Sequence, residues 1–134
     1  MTVLLDCDVL LDVALDRRPF VTDSRAVLDW RERHPGGGFV AWHTLANFYY
    51  MLKDAARARQ FIQDLFVFVE VAGTGTAQAK HALALPMSDF EDALQAAAAV
   101  QAGVDYIITR NITDYRNSPI PALLPADFLA QAPA

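Results

Sequence analysis

Short apolar runs recur along the chain and predict the strands of a buried sheet. Residues 3–5, 39–41, 66–71 and 105–109 are each largely apolar over a few positions, which is the pattern of buried strands. Residues 120–124 form a fifth candidate, which two prolines mark as an edge strand because proline cannot donate to a ladder.

Stretches with helical spacing lie between these strands. Five of them cover residues 8–14, 44–53, 55–65, 76–83 and 126–130. Another is capped by Thr22 or Asp23 and ends near residue 33. The last begins at the S-x-x-E capping box of Ser88 and Glu91 and stops at Gly103. This alternation predicts an α/β fold: a three-layer sandwich with a mostly parallel central sheet of four to five strands flanked by helices. No linker or repeat divides the chain, so residues 1–134 are expected to form a single domain.

Composition narrows the functional classes. The formal net charge is −5, which disfavours a purely electrostatic nucleic-acid binder but not an enzyme whose acids hold metal ions. The single cysteine, Cys7, excludes a disulfide framework and a cysteine-based zinc site. No apolar run reaches the roughly 18 residues of a membrane span and no signal peptide is visible, so a soluble cytoplasmic protein is expected.

Acidic and amide residues gather where the predicted strands end, which is where parallel α/β folds bind ligands. They form three clusters: Asp6 and Asp8 after the first strand, Asp89 and Asp92 at the start of a helix, and Asn111 and Asp114 after the fourth strand. If the first and fourth strands are adjacent, the clusters meet at one edge. Carboxylates at such short distances repel one another unless a cation is bound. Ligand sets made only of oxygen atoms favour Mg²⁺ or Mn²⁺ over Zn²⁺. Such a site suits phosphodiester hydrolysis by an activated water.

The same residues also have ordinary structural interpretations. Asp8 suits a helix cap, Asp89 and Asp92 suit the positive end of a helix dipole, and Asn111 and Asp114 suit a turn. Asp12 and Asp16 are expected on a solvated helix face. The functional interpretation therefore depends on the three clusters falling together.

Three segments combine the predicted elements with these acids: residues 3–12 (VLLDCDVLLD), 89–97 (DFEDALQAA) and 108–115 (ITRNITDY). In this order and spacing they resemble the PIN-domain family of metal-dependent ribonucleases, which includes the toxins of VapC-type toxin–antitoxin pairs. Residues 125–129 (PADFL) resemble its terminal helix. The resemblance spans nearly the whole chain.

The resemblance implies an acidic pocket with one or two Mg²⁺ or Mn²⁺ ions. The expected metal ligands are Asp6, Asp8, Asp92 and Asp114, with Asp89 and Asn111 as further or auxiliary ligands. Asp6, Asp92 and Asp114 are also the expected catalytic acids, and Thr109 is expected to orient a water or a carboxylate. Asp8 stands where the family usually has Asn.

The sequence departs from the family at the second acid, within residues 41–50 (AWHTLANFYY). Asn47 falls at that position and can offer a carbonyl oxygen but no charge. His43, one turn earlier, is either a neighbour of the site or a helix-start residue. The alternative to an active nuclease is therefore a catalytically weak or inactive PIN-like binding module.

Partners follow from the same residues. Arg110 and Arg116 flank the acidic edge and are candidates for binding RNA, although an internal salt bridge to an Asp is the other interpretation of Arg110. The aromatic run of residues 48–51 indicates a homodimer interface or a helix buried on two sides. The family resemblance adds a separate antitoxin protein as a possible partner.

One other enzyme class shares the opening motif. Haloacid-dehalogenase-type phosphatases carry D-x-D after the first strand, as in Asp6-Cys7-Asp8. They also need a lysine near the phosphate, and neither Lys53 nor Lys80 falls at a predicted strand end. The sequence therefore favours the nuclease.

Overall fold

The computed structural model describes residues 1–133, which form a five-stranded sheet covered by helices. The strands are β1 (Val3–Leu5), β2 (Gly38–Val40), β3 (Glu70–Val71), β4 (Tyr106–Ile108) and β5 (Ala122–Leu123). The helices are α1 (Cys7–Ala14), α2 (Val21–Arg33), α3 (Trp42–Leu52), α4 (Ala55–Leu65), α5 (Thr76–Ala84), α6 (Phe90–Ala102) and α7 (Pro125–Gln131), with a 3₁₀ turn at Ile112–Tyr115.

All strand pairs are parallel, and the order across the sheet is β3-β2-β1-β4-β5. The central strand β1 therefore lies between β2 and β4, with Leu5 paired to Ile108. Because the two strands end in register, the residues that follow them, Asp6 and Thr109, emerge side by side. The first and fourth strands are therefore adjacent, which is the condition for the acidic clusters to meet at one edge.

Helices cover both faces of the sheet, and β1 divides its side chains between them. Val3 and Leu5 belong to one buried cluster together with residues of α1, α2, α3, α4 and α7. Leu4 belongs to a second cluster with the alanines of α6. Alternate residues of a strand point to opposite faces, so a fully apolar strand of this kind must be buried on both sides. The three-layer α/β sandwich is confirmed.

Several element boundaries differ from the sequence-based expectation. The third strand covers only Glu70–Val71, because residues 66–69 form turns that close α4. Helix α2 begins at Val21, so Thr22 and Asp23 lie inside its first turn instead of capping it. Helix α6 is capped by Asp89, whose side chain accepts from the Asp92 backbone N–H at 3.0 Å, and not by Ser88.

No helix in residues 1–133 has the length and apolarity needed to cross a membrane.

Candidate active site

Asp6 is the centre of a hydrogen-bond network at the carboxyl edge of the sheet. It caps α1, and its Oδ1 accepts from the Cys7 backbone N–H at 2.7 Å and from Gln95 Nε2 at 3.1 Å. Its Oδ2 accepts from the Thr109 hydroxyl at 2.9 Å and from the Tyr115 hydroxyl at 3.2 Å. Four donors from four different positions of the chain hold this carboxylate in one orientation.

Asp8 lies two residues further on and is half-buried. Its Oδ2 accepts from the Arg110 backbone N–H at 2.9 Å and from Asn111 Nδ2 at 3.2 Å. Its Oδ1 is buried and has no hydrogen-bond partner within the described chain. Burial, followed by the charge of Asp6, raises the pKa of Asp8 to about 6. The exposed Asn111 thus contributes to the site by orienting Asp8.

Asp92 faces Asp6 from the first turn of α6. The Tyr115 hydroxyl lies between the two carboxylates, 3.2 Å from Asp6 Oδ2 and 3.3 Å from Asp92 Oδ1. Burial raises the pKa of Asp92 to about 6, and the charges of Asp89, Asp6 and Asp114 add to the increase. The pKa of Tyr115 is also raised, first by burial and then by the two acids, so its hydroxyl stays protonated as a donor.

Gln95 and Thr44 join the network although the sequence analysis did not single them out. Gln95 is fully buried and also donates to the Thr44 hydroxyl at 2.9 Å, which links α6 to the first turn of α3. The available signal was spacing, because Gln95 lies three residues after Asp92 and so shares its helix face. Asp6 and Thr44 accept from the Gln95 amide nitrogen, whereas the Gln95 Oε1 is buried without a hydrogen-bond partner among residues 1–133.

Asp12 is completely buried, so its expected place on a solvated helix face was wrong. The Arg110 guanidinium forms a bidentate ion pair with it, at 2.7 Å and 3.0 Å, and lies 3.9 Å from the ring centroid of Phe20. Ser24 donates a further hydrogen bond at 3.1 Å. Arg110 therefore forms an internal salt bridge, and its guanidinium is not free to bind a phosphate.

The remaining candidates surround this network without joining it. Asp89 caps α6, Asp114 lies exposed in the 3₁₀ turn, and Arg116 is exposed just after it. Asn47 lies half-buried on α3. His43 Nε2 is buried without a hydrogen-bond partner in the described residues, and burial lowers the pKa of its ring.

The donor chemistry fits a hard divalent cation, although the carboxylates do not form a compact cluster. Within residues 1–133 no three His, Cys, Asp or Glu side chains are close enough to form a ready-made metal site. The Tyr115 hydroxyl lies within hydrogen-bond distance of both Asp6 and Asp92, so it holds these two carboxylates on one side of the network. The unpartnered Asp8 Oδ1 and the oxygen-only surroundings suit Mg²⁺ or Mn²⁺. Burial, followed by the charges of Asp6 and Asp8, raises the pKa of the Cys7 thiol to about 12, so the thiol is protonated in the metal-free protein.

Comparisons with known proteins agree with this architecture. A family model described as PIN domain matches residues 2–113. No curated protein sequence gives a significant match.

Solved structures with the same fold include a chain of VapBC2 from Rickettsia felis bound to a DNA fragment from its promoter. It gives a TM-score of 0.71 and 12% identity, with coverage of 92% of this chain and 98% of the other. A toxin–antitoxin complex from Klebsiella pneumoniae gives TM-score 0.71, 19% identity and the same coverage. A chain of FitAB bound to an IR36 DNA fragment gives a TM-score of 0.67 and 19% identity, with coverage of 92% of this chain and 95% of the other. At these identities the likeness concerns the fold.

Proposed function

The chain belongs to the PIN-domain family, and from that premise we propose that it is a Mg²⁺- or Mn²⁺-dependent endoribonuclease, the toxin of a toxin–antitoxin pair. The observation that carries the proposal is the pair of half-buried carboxylates, Asp8 and Asp92, whose pKa values are raised to about 6 around the central Asp6. Placing ionised carboxylates this close together costs free energy because their negative charges repel one another, and a bound cation would remove that repulsion.

Asp6, Asp8 and Asp92 would hold the metal, with Asp114 as a further ligand from the 3₁₀ turn. A bound divalent cation would supply a water of lowered pKa and offset charge on the phosphate. Thr109 and Gln95 fix the orientation of Asp6, while the Arg110 backbone N–H fixes that of Asp8. These groups act by preorganising the carboxylates, so that little rearrangement is left for the reaction.

Cleavage of a mixed RNA pool in Mn²⁺, Mg²⁺ or EDTA tests the proposal. We expect cleavage in either metal, none in EDTA, and loss of at least about a hundredfold in Asp92→Asn, the order seen when a group that organises catalytic charge is removed. Asp127→Asn removes a carboxylate from α7, outside the network, and serves as the matched control. Cleavage that persists in Asp92→Asn would contradict the assignment of that residue.

The alternative of a weak or inactive binding module depends on Asn47. We propose that this residue occupies the second-acid position, so Asn47→Glu should tighten Mn²⁺ binding measured by calorimetry. Asn117→Glu places the same charge at an exposed turn and should leave the affinity unchanged. If neither variant alters the affinity, Asn47 is not at the ligand position. If the wild-type protein also binds no Mn²⁺ and cleaves no RNA, the binding module is the better assignment.

We further propose a homodimer and a separate antitoxin as partners. A cavity of about 580 Å³ between α3 and α4 is lined by the rings of Tyr49, Tyr50 and Phe66, and Tyr50 and the adjacent Met51 are largely exposed. Aromatic residues and methionine are enriched in protein interfaces. Sedimentation equilibrium of the full chain should give a dimer that Tyr50→Asp weakens. A monomer at every concentration would contradict the dimer.

A further inference from the structure

A second cavity lies beside the acidic network, one strand away along the carboxyl edge. It has a volume of about 240 Å³ and is lined by residues that follow β2 and β3 and by residues of α6. Its lining includes Trp42, His43, Thr74, Gly75, Gln78 and Leu94. The Thr44 hydroxyl, next in sequence to His43, accepts from Gln95, which in turn donates to Asp6. The cavity is therefore linked to the proposed cleavage site through α3 and α6, whose Thr44 and Gln95 directly follow the lining residues His43 and Leu94.

The lining combines a broad aromatic plane with a few polar groups. The side chain of Trp42, on the first turn of α3, is 70% exposed. Gln78 uses its Oε1 to accept from the Gly75 backbone N–H at 2.8 Å, which leaves its amide nitrogen as a donor. His43 also lines the cavity, but its Nε2 is buried. An exposed ring with nearby hydrogen-bonding groups suits a flat, polar-edged ligand.

Charge decides which part of a nucleic acid fits. None of the residues that line this cavity, all within the described chain, is Lys, Arg, Asp or Glu. The neighbouring network is acidic and the whole chain carries a formal charge of −5, so a phosphate entering the cavity would find no counter-charge. Arg110, which flanks the network, is held by Asp12. A nucleobase carries no charge, so it needs no positive side chain and is not repelled by the neighbouring carboxylates.

We propose that this cavity is a base-binding subsite, in which one nucleobase next to the scissile phosphate stacks on Trp42. The edge of the base is hydrogen-bonded by the amide nitrogen of Gln78. This inference rests on the proposed RNA substrate. Single-stranded RNA is commonly bound by stacking of its unpaired bases on aromatic side chains, which works without a basic surface. The subsite thus explains how an acidic protein holds RNA close to its own carboxylates.

The chain provides its own fluorescent reporter for the test. It has two tryptophans, and Trp30 is buried while Trp42 is exposed. Titration of the full chain in EDTA with octameric homopolymers of A, C, G and U should quench the Trp42 emission in a saturable way for at least one of them. An abasic ribose-phosphate octamer should give no quenching. Quenching should also be lost in Trp42→Phe, which leaves only Trp30.

Affinity measured by anisotropy of labelled octamers separates stacking from a general surface effect. Trp42→Ala should weaken binding about tenfold, the loss expected for one stacked base, and Trp42→Phe should recover most of it. Leu83→Ala truncates an equally exposed apolar side chain on α5, away from the cavity lining, and should have no effect.

Three results would overturn the subsite: binding of octamers without quenching, equal losses in Trp42→Ala and Leu83→Ala, or no binding of any octamer. The metal-dependent cleavage assay reports separately on the proposed function. Cleavage with an unaffected Trp42→Ala variant refutes the subsite alone. Quenching by octamers with no cleavage in any metal retains the subsite and refutes the nuclease.

Discussion

At the scale of single residues, the buried ion pair of Asp12 and Arg110 is the least expected feature of the site. The carboxylate is completely buried and receives two bonds from the guanidinium, while the Arg110 backbone N–H binds Asp8. One residue therefore connects a buried charge to a proposed metal ligand. Nothing in the spacing of Asp12 distinguishes it from the exposed Asp16, because its burial is created by α2 and by the segment after β4.

Arg110→Ala should destabilise the protein strongly, because it leaves the Asp12 carboxylate buried without its main partner. The loss in unfolding free energy should be about 3–5 kcal/mol, measured by urea denaturation. Arg116→Ala removes an exposed arginine six residues away and should change the free energy by no more than about 0.5 kcal/mol. Similar values for the two variants would contradict the importance of the ion pair.

Asp92 should make the metal-free protein less stable as the pH rises. Its pKa is raised to about 6 from an ordinary 3.8, so the folded state binds more protons than the unfolded state between about pH 4 and 6. Stability therefore falls with increasing pH in that window. In EDTA, the Tm of Asp92→Asn relative to wild type should increase from pH 4 to pH 7. A Tm difference that does not vary with pH would refute the raised pKa.

At the scale of elements, the ends of helices and strands supply the site, and these boundaries are where prediction was weakest. The centres of β1, β4 and α6 were predicted well because apolar runs and helical spacing are local signals. The cap of α6 was placed at Ser88 on a sequence motif, whereas Asp89 makes the bond. Both residues are good caps by type, so only the backbone path into the helix distinguishes them.

Asp89 has a capping role that can be separated from its charge. Asp89→Ala should lower the unfolding free energy by about 1 kcal/mol, because the Asp92 backbone N–H loses its acceptor. Asp89→Asn keeps an acceptor at the cap and should be nearly neutral. Denaturant titration of both variants measures the difference. If Asp89→Asn is as destabilising as Asp89→Ala, the charge and not the cap is responsible.

At the scale of the whole molecule, the sheet order turns separate sequence clusters into one site. Strand β1 is flanked by β2 and β4, so residues from three distant segments meet at its carboxyl end. The two buried clusters lie on opposite faces of the same sheet and share β1 as a common wall. The packing of both faces therefore supports the strand that Asp6 directly follows.

We propose that residues 1–134 form a single domain, which predicts one cooperative unfolding transition. Because both buried clusters depend on β1, neither face should melt alone. Scanning calorimetry of the metal-free chain should give a calorimetric enthalpy equal to the van't Hoff enthalpy. Two resolved transitions would contradict the single domain.

The sequence by itself determined the α/β class, the order of elements, two acidic clusters after strands and a third at the start of a helix. These follow from local periodicity and from the rule that ligands collect at the carboxyl edge of a parallel sheet. Only the tertiary structure decided that Tyr115 lies between Asp6 and Asp92, that Gln95 links Asp6 to Thr44, and that Arg110 is held by Asp12. Those contacts join residues far apart in the chain, and the partner of a buried polar group is set by packing in space and not by its neighbours in sequence.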